Sequence, residues 1–239
     1  MRSENRPVFV TGANRGIGRE FVRGVLERGA AKVYAGVRDP RSIDAEMARD
    51  PRIEVVRLDI TDPGQTAAAA AFASDTAILV NNAGAVSFGS LLTGPLEEAR
   101  TLFDTNLFGL WEMTRAFAPA LSASRGAVVN VLSAIAWFSP PHNGAYAATK
   151  SAAWSLTNGL RAELAPHEVL VQGLHFGAVD TDFSAGYDGP KIQASQVVRA
   201  SLDGLETGQD EVIVGAGSRA VKAALSGPPN GYLQQTLTS

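Results

Sequence analysis

The stretch YAATK sets a tyrosine and a lysine four positions apart, Tyr146 and Lys150. On a helix, residues i and i+4 share one face about a turn apart. A phenol has an ordinary pKa near ~10 and carries protons poorly at neutral pH. A neighbouring ammonium favours the phenolate and lowers that value. Bringing it to about 7 takes roughly 4 kcal/mol. The spacing therefore predicts a general acid or base, Tyr146, tuned toward working pH by Lys150. Ser133 lies 13 positions upstream of Tyr146. A loop between the two can return its hydroxyl toward the phenol, where paired donors would orient and polarise a substrate oxygen. Taken alone, the same residues are also ordinary polar members of a helix and a loop, so the elements that carry them decide.

Seven apolar, β-rich runs alternate with helix-periodic stretches. The runs are Pro7–Val10, Lys32–Val37, Ile53–Leu58, Ala77–Val80, Ala127–Leu132, Leu170–Leu174 and Glu211–Val214. Their apolar character on both faces suits parallel strands covered by helices on each side. Helices are expected between all of them, with a polar, helix-capable stretch after the second strand. The longest are expected at about 96–122 and about 145–165, and a short one at the end. This alternation predicts an α/β fold with a doubly wound, parallel sheet of about seven strands and right-handed crossovers. Ligands then sit beyond the carboxyl ends of the strands. Gly12, Asp59, Asn81, Ser133 and the loop after Leu174 all fall at such ends. No linker or internal repeat interrupts the chain, so 1–239 is read as a single domain.

The first strand leads into Thr11-Gly12-Ala13-Asn14-Arg15-Gly16-Ile17-Gly18, which opens a helix. A helix N-terminus offers free N–H groups and partial positive charge to a pyrophosphate. Gly12 permits a tight turn, Gly16 lets backbone approach phosphates, and Gly18 lets the helix pack on the sheet. By strand count, the position that would carry a ribose-binding carboxylate is Val37. Arg38 follows it, and Arg15 lies inside the glycine loop. Guanidinium groups hold a phosphate by forked, charge-assisted hydrogen bonds. This points to NADP(H), with NAD(H) as the alternative should the strand run two residues further to Asp39. Arg38 could also simply pair with Asp39.

The spacing Gly-x-x-x-Gly-x-Gly, with Asn81-Asn82-Ala83-Gly84, Ser133 and Tyr146-x-x-x-Lys150, resembles the short-chain dehydrogenase/reductase family from about Pro7 to about Thr181. The resemblance implies one Rossmann domain that exchanges a hydride between a nicotinamide and a carbonyl or secondary alcohol. It implies that Tyr146 protonates the carbonyl oxygen, Ser133 positions it, and Lys150 also binds the nicotinamide ribose. Asn106, in Thr105-Asn106-Leu107-Phe108-Gly109, matches the family's helix asparagine, which perturbs its helix and holds a proton-relaying water. Asp59, followed by Ile60, matches a contact to adenine, although Asp59, Thr61 and Asp62 all compete as a helix N-cap. Asn82, Ala83 and Gly84 match the segment lining the adenine ribose, and Asn81 steadies the sheet. Gly177, Val179 and Thr181 match contacts to the carboxamide or phosphates, but Phe176 stands where the family usually has proline.

The substrate loop is placed at about 182–194, with Phe183 and Tyr187, opposite Ile135 to Asn143 with Trp137 and Phe138. These aromatics predict an apolar pocket for a small carbonyl or alcohol. Of the histidines, His167 is expected exposed, His175 structural, and His142 near the substrate. The family pairs helices like 96–122 and 145–165 between subunits, which implies a homodimer or homotetramer. The tail after Val214 lacks the family's asp-gly-gly ending, which weakens the tetramer case. An NAD-preferring alcohol dehydrogenase and a non-catalytic nucleotide-binding regulator are the alternatives.

The rest of the composition narrows the classes. The chain has 239 residues, 45% hydrophobic and 19% charged, with a net charge of -3. That is an ordinary globular balance without the basic excess of a nucleic-acid or anionic-membrane surface. With no cysteine, disulfides, thiolate nucleophiles and cysteine metal sites are excluded. No histidine–carboxylate spacing suggests a metal. No apolar run approaches the roughly 18 residues of a membrane span, and MRSENRPVFV lacks a signal-peptide core. A cytoplasmic location is expected.

Overall fold

In the computed structural model, which describes residues 3–228, one seven-stranded sheet runs through the molecule. Its strands are β1 (Pro7–Thr11), β2 (Lys32–Val37), β3 (Ile53–Arg57), β4 (Ile78–Asn81), β5 (Ala127–Val131), β6 (Leu170–Phe176) and β7 (Glu211–Val214). They lie in the order β3-β2-β1-β4-β5-β6-β7, every neighbouring pair parallel. The reversal of direction between β1 and β4 makes the switch point at which such sheets bind ligands. Residues 229–239 of the expected tail lie outside the described residues.

Helices α1 (Gly16–Glu27), α2 (Pro63–Phe72), α3 (Leu96–Phe103), α4 (Leu110–Ser124), α5 (Gly144–Leu164), α6 (Ala194–Glu206) and α7 (Ala216–Ala224) accompany the strands. Two cores result. Val8, Val10, Val33 and Val80 face α1 and α6 through Phe21, Val25, Val198 and Leu202 on one side of the sheet. Phe9, Leu79, Val128 and Val171 meet Met113, Phe117 and Leu160 on the other. Alternate residues of one strand thus serve opposite cores, as the pleat requires.

Three expectations are corrected. No α-helix joins β2 to β3 among the described residues; two 3₁₀ turns, Pro40–Ser42 and Met47–Arg49, do so instead. Asp39, Asp44 and Asp50 each accept a nearby backbone N–H, from Arg41, Met47 and Arg52. Such local bonds compete with helical ones. The long helix at 96–122 is interrupted by a π-turn at Asp104–Gly109. Strand β6 runs two residues past Leu174, to Phe176.

Candidate active site

The glycine loop is built by close backbone approach. Gly12 (φ +65°) and Gly16 (φ +53°) both sit in the left-handed region, which glycine adopts without penalty. A Cβ on Gly18 would lie 2.1 Å from the Gly12 carbonyl oxygen. Gly18 is buried and faces the loop's underside, not the cleft, so its part is packing and not ligand contact. Asn82 braces the loop from β4: its Nδ2 donates to the Thr11 and Gly12 carbonyls at 2.9 and 3.1 Å. Its own N–H and that of Ala83 donate to Thr11 Oγ1, both at 2.9 Å. Among the described residues no side chain caps the N-terminus of α1. Its first-turn N–H groups are therefore open to an anion.

Above the loop lies a cleft of ≈1410 Å³. Ligand pockets for one drug-sized molecule run about 300–1,000 Å³, so this one has room for more. At one end it is lined by Asn14, Arg15, Ile17, Arg38, Asp59 and Ile60. Strand β2 does end at Val37. Asp39 is taken by Arg41, whose Nε and Nη2 donate to its two oxygens at 3.0 and 2.9 Å. Those bonds hold the Asp39 carboxyl below its ordinary range. Among the described residues no group pairs with Arg38, which is exposed at the cleft rim. Arg15 meets Asp182 at 3.5 Å, both side chains well exposed. The helix cap of α2 is Asp62. Asp59 instead accepts from Thr61 N and Oγ1 at 3.0 and 2.7 Å.

The other end holds the remaining residues. Ala83, Gly84, Ser133, Tyr146, Lys150, Gly177, Val179 and Thr181 all line the same cleft. Lys150 Nζ donates to the Val131 carbonyl at 2.9 Å and sits 5.8 Å from the centre of the Tyr146 ring. Ser133 begins the 3₁₀ turn Ala134–Trp137, its Oγ accepting from Ile135 N at 3.2 Å. The same hydroxyl donates to the Phe176 carbonyl at a long 3.4 Å. That bond is weak enough to exchange for a better acceptor. Asn106 lies behind the cleft, 2% exposed, and not on its wall. Its Oδ1 accepts from Ala85 N at 2.8 Å, and its Nδ2 donates to Ala85 O and Thr149 Oγ1 at 2.9 and 3.0 Å. These three bonds anchor the π-turn, a feature that occurs frequently at functional sites. They also fix Gly84, where a Cβ would lie 3.2 Å from Asn106 Oδ1 and 4.0 Å from Lys150 Nζ.

Burial works against the tuning expected at Tyr146. Burial pushes its phenol above the ordinary range. Burial also pulls Lys150 down to about 8. Desolvation penalises both charged forms, and spacing along the chain carries no measure of that cost. The shift carries a stability consequence. Lys150 binds its proton more weakly folded, at about 8, than at its ordinary 10.5. Below about pH 8 its charge therefore costs stability in full, on the order of 3 kcal/mol, and the cost fades as pH rises toward 10.5. Lys150→Met removes it but strands the Val131 carbonyl, at roughly 1–3 kcal/mol. A net gain of about 1 kcal/mol, or about 2–4 °C in Tm, is expected at pH 7. By pH 10 the charge costs under about 1 kcal/mol, so the stranded carbonyl should leave Lys150→Met no more stable than the wild type, or less stable. Thermal melts of both proteins at the two pH values check this.

Phe138, Phe183 and Tyr187 line the cleft as expected, with Phe183 tilted over Tyr146 at 6.0 Å between ring centres. Val86 and Phe88, from the loop after β4, complete the apolar wall and gave no sequence signal beyond being apolar. Trp137 does not reach the cleft; it is 4% exposed and stacks on His175. His142 is also off the cleft wall, its carbonyl accepting from Gly89 N at 2.8 Å. The loop 182–194 begins with a 3₁₀ turn at Asp182–Ser184 and is tied back by the bridge Val179↔Ile192.

Residues 6–189 match the family model for short chain dehydrogenases. The chain belongs to the short-chain dehydrogenase/reductase family. It is 34% identical over 184 residues to a 3-alpha-(or 20-beta)-hydroxysteroid dehydrogenase of Mycobacterium bovis, spanning 72% of this chain and 68% of that one. Among solved structures, a short chain dehydrogenase from Burkholderia cenocepacia in complex with NADP superposes with a TM-score of 0.93 at 40% identity, covering 100% of both chains. A family member from Burkholderia phymatum in complex with NAD has a TM-score of 0.83 at 23% identity over 95% of this chain and 93% of its own, a likeness of fold alone. This is therefore an oxidoreductase of a family whose named members are dehydrogenases and reductases acting on CH–OH groups. No helix of the described residues is long and apolar enough to cross a membrane.

Proposed function

We propose that this protein is an NADP(H)-dependent reductase of apolar carbonyl compounds, working reversibly on the corresponding secondary alcohols. The observation that carries the reading is that Tyr146, Ser133 and Lys150 line one cleft with an uncapped helix N-terminus and an unpaired Arg38. The family relative solved with NADP supports the same cofactor. The glycine loop, held tight by Asn82, leaves backbone N–H groups for the pyrophosphate. Arg38 and Arg15 take the 2′-phosphate, Arg15 leaving Asp182 to do so. Asp59 and Ile60, which line one end of the cleft, would hold the adenine, and Gly177, Val179 and Thr181, which line the other, the nicotinamide end.

When bound, NADPH supplies the hydride. The chain's own residues supply the proton and the geometry. Tyr146 Oη gives its proton to the substrate oxygen, and burial keeps that phenol protonated at neutral pH. Ser133 Oγ exchanges its long bond to Phe176 for one to the same oxygen, stabilising charge as it develops. Lys150 is held at the Val131 carbonyl beside the ring, and its ammonium would donate to the nicotinamide ribose. Phe88, Phe138, Phe183 and Tyr187 select a substrate with an apolar body, and the hydroxysteroid relative fits that preference. Phe108 and Trp111, exposed beside α4, give an apolar face for pairing in a cytoplasmic homodimer or homotetramer.

A panel of ketones, aldehydes, quinones and ketosteroids, assayed for NADPH against NADH oxidation, tests the reading. Turnover of apolar ketones with NADPH preferred is the expected result. Binding of NADPH with no turnover of any carbonyl would instead favour a nucleotide-binding regulator.

A further inference from the structure

The penultimate residue of strand β6 is a histidine that the reaction above leaves unused. His175 is fully buried, and its Nδ1 lies 3.1 Å from the backbone carbonyl of Ser133. Its ring stacks on Trp137 at 4.1 Å and 20°. Ser133 caps the turn Ala134–Trp137, and Trp137 ends it. One imidazole therefore grips both ends of the segment that carries the Ser133 hydroxyl.

The environment fixes which nitrogen bears the proton. A backbone carbonyl only accepts, so Nδ1 must donate. Nε2 is buried and has no hydrogen-bond partner among the described residues. Glu211 of β7 is the nearest carboxylate, 3.8 Å away, and is itself paired with Lys222 of α7 at 3.0 Å. The Lys222 ammonium lies 4.7 Å over Trp137 and 4.8 Å over Trp154, and Lys150 adds a second cation on the α5 side. Burial lowers the His175 pKa to about 4 against the opposing pull of Glu211 and the Ser133 carbonyl. The ring is thus neutral with its proton on Nδ1. Trp154 meets Trp137 edge-on at 6.1 Å, so the ring under His175 is itself held in place.

We propose that His175 is the positioning residue of the active-site serine: its Nδ1–H holds the Ser133 carbonyl and its face holds Trp137, so that the Ser133 hydroxyl is aimed into the cleft. His175 touches neither substrate nor cofactor in this role. It acts through Ser133 Oγ, which also accepts from Ile135 N and donates to the Phe176 carbonyl. Loss of the grip lets the turn relax, and a misplacement of about 1 Å at a reacting group costs on the order of 10²-fold in rate.

The activity arm rests on the carbonyl-reductase reading; the spectroscopic arm does not. Two variants separate packing from hydrogen bonding. His175→Leu fills the space without a donor, and His175→Asn restores an N–H near the position of Nδ1. His175→Leu is expected to lower kcat for ketone reduction roughly 10- to 100-fold while the Kd for NADPH stays within about twofold. His175→Asn is expected to recover most of the rate. Amide exchange at Ile135, whose N–H donates to Ser133 Oγ, should quicken in His175→Leu and return toward wild type in His175→Asn. Nitrogen-15 NMR of the wild-type imidazoles should show His175 protonated at Nδ1 and bare at Nε2 at pH 7. A proton found on Nε2, wild-type rates in His175→Leu, or equal losses in both variants would overturn the proposal. The NMR measurement needs no variant to fold and no substrate to be known. Failure of the carbonyl-reductase reading would appear as no turnover in the wild type, with the tautomer and the Ile135 exchange pattern unchanged.

Discussion

Tyr146→Phe is expected to lower kcat for carbonyl reduction by about 10²- to 10⁴-fold, the usual contribution of a positioned general acid. The Kd for NADPH should move less than about threefold, because the ring and its contact with Phe183 remain. Stability should also hold, since Tyr146 Oη makes no hydrogen bond among the described residues and nothing is left unpaired. The sign of the pH dependence follows from the buried phenol. A raised pKa keeps the proton on Tyr146 through neutral pH, so reduction needs no pH adjustment there. Alcohol oxidation needs the phenolate and should rise with pH. Stopped-flow turnover together with fluorescence titration of NADPH separates rate from binding. A Tyr146→Phe protein that still reduces ketones at near wild-type rate would remove the phenol from the chemistry.

The second large effect concerns the other end of the cleft. Hydrogen bonds to charged groups contribute roughly 1.5–3 kcal/mol each, and about 1.4 kcal/mol is tenfold in affinity. Arg38→Ala is therefore expected to weaken NADPH binding about 10- to 150-fold, and Arg15→Ala/Arg38→Ala further, with NADH affinity changing little. Asp182→Asn supplies the opposite sign. It frees Arg15 from an exposed pair whose value is about 0.2–1 kcal/mol. NADPH should then bind up to about fivefold tighter, again without effect on NADH. Calorimetric titration of the variants with both nucleotides reads all of these. Equal losses for NADPH and NADH in Arg38→Ala would show that the arginine does not meet a 2′-phosphate.

Much of this site is legible in the sequence because it is local. Strand runs, the glycine loop, the end of β2 at Val37 and the shared helix face of Tyr146 and Lys150 each rest on short-range rules of pleat, turn and helical period. The failures are also specific. The segment 38–52 is polar enough for a helix, yet its aspartates bind their own backbone and leave only 3₁₀ turns. Periodicity ran straight through Asn106, whose partners Ala85 and Thr149 are 21 and 43 residues away in sequence. Trp137 shares the loop Ile135 to Asn143 with Phe138 yet packs inward, its ring stacked on His175.

The order of strands and helices, the end of the sheet at which the chemistry-bearing residues gather, and the basic side chain that follows β2 can be read along the chain, whereas the freedom of Arg38 rests on Arg41 taking Asp39. Only the tertiary structure decided their protonation and aim: a phenol pushed up, an ammonium pulled down to about 8, and a serine held by an imidazole 42 residues away. The physical reason is that spacing is a property of neighbours along the chain. Desolvation depends on everything that closes around a group in space, and its cost here exceeds what one adjacent charge returns.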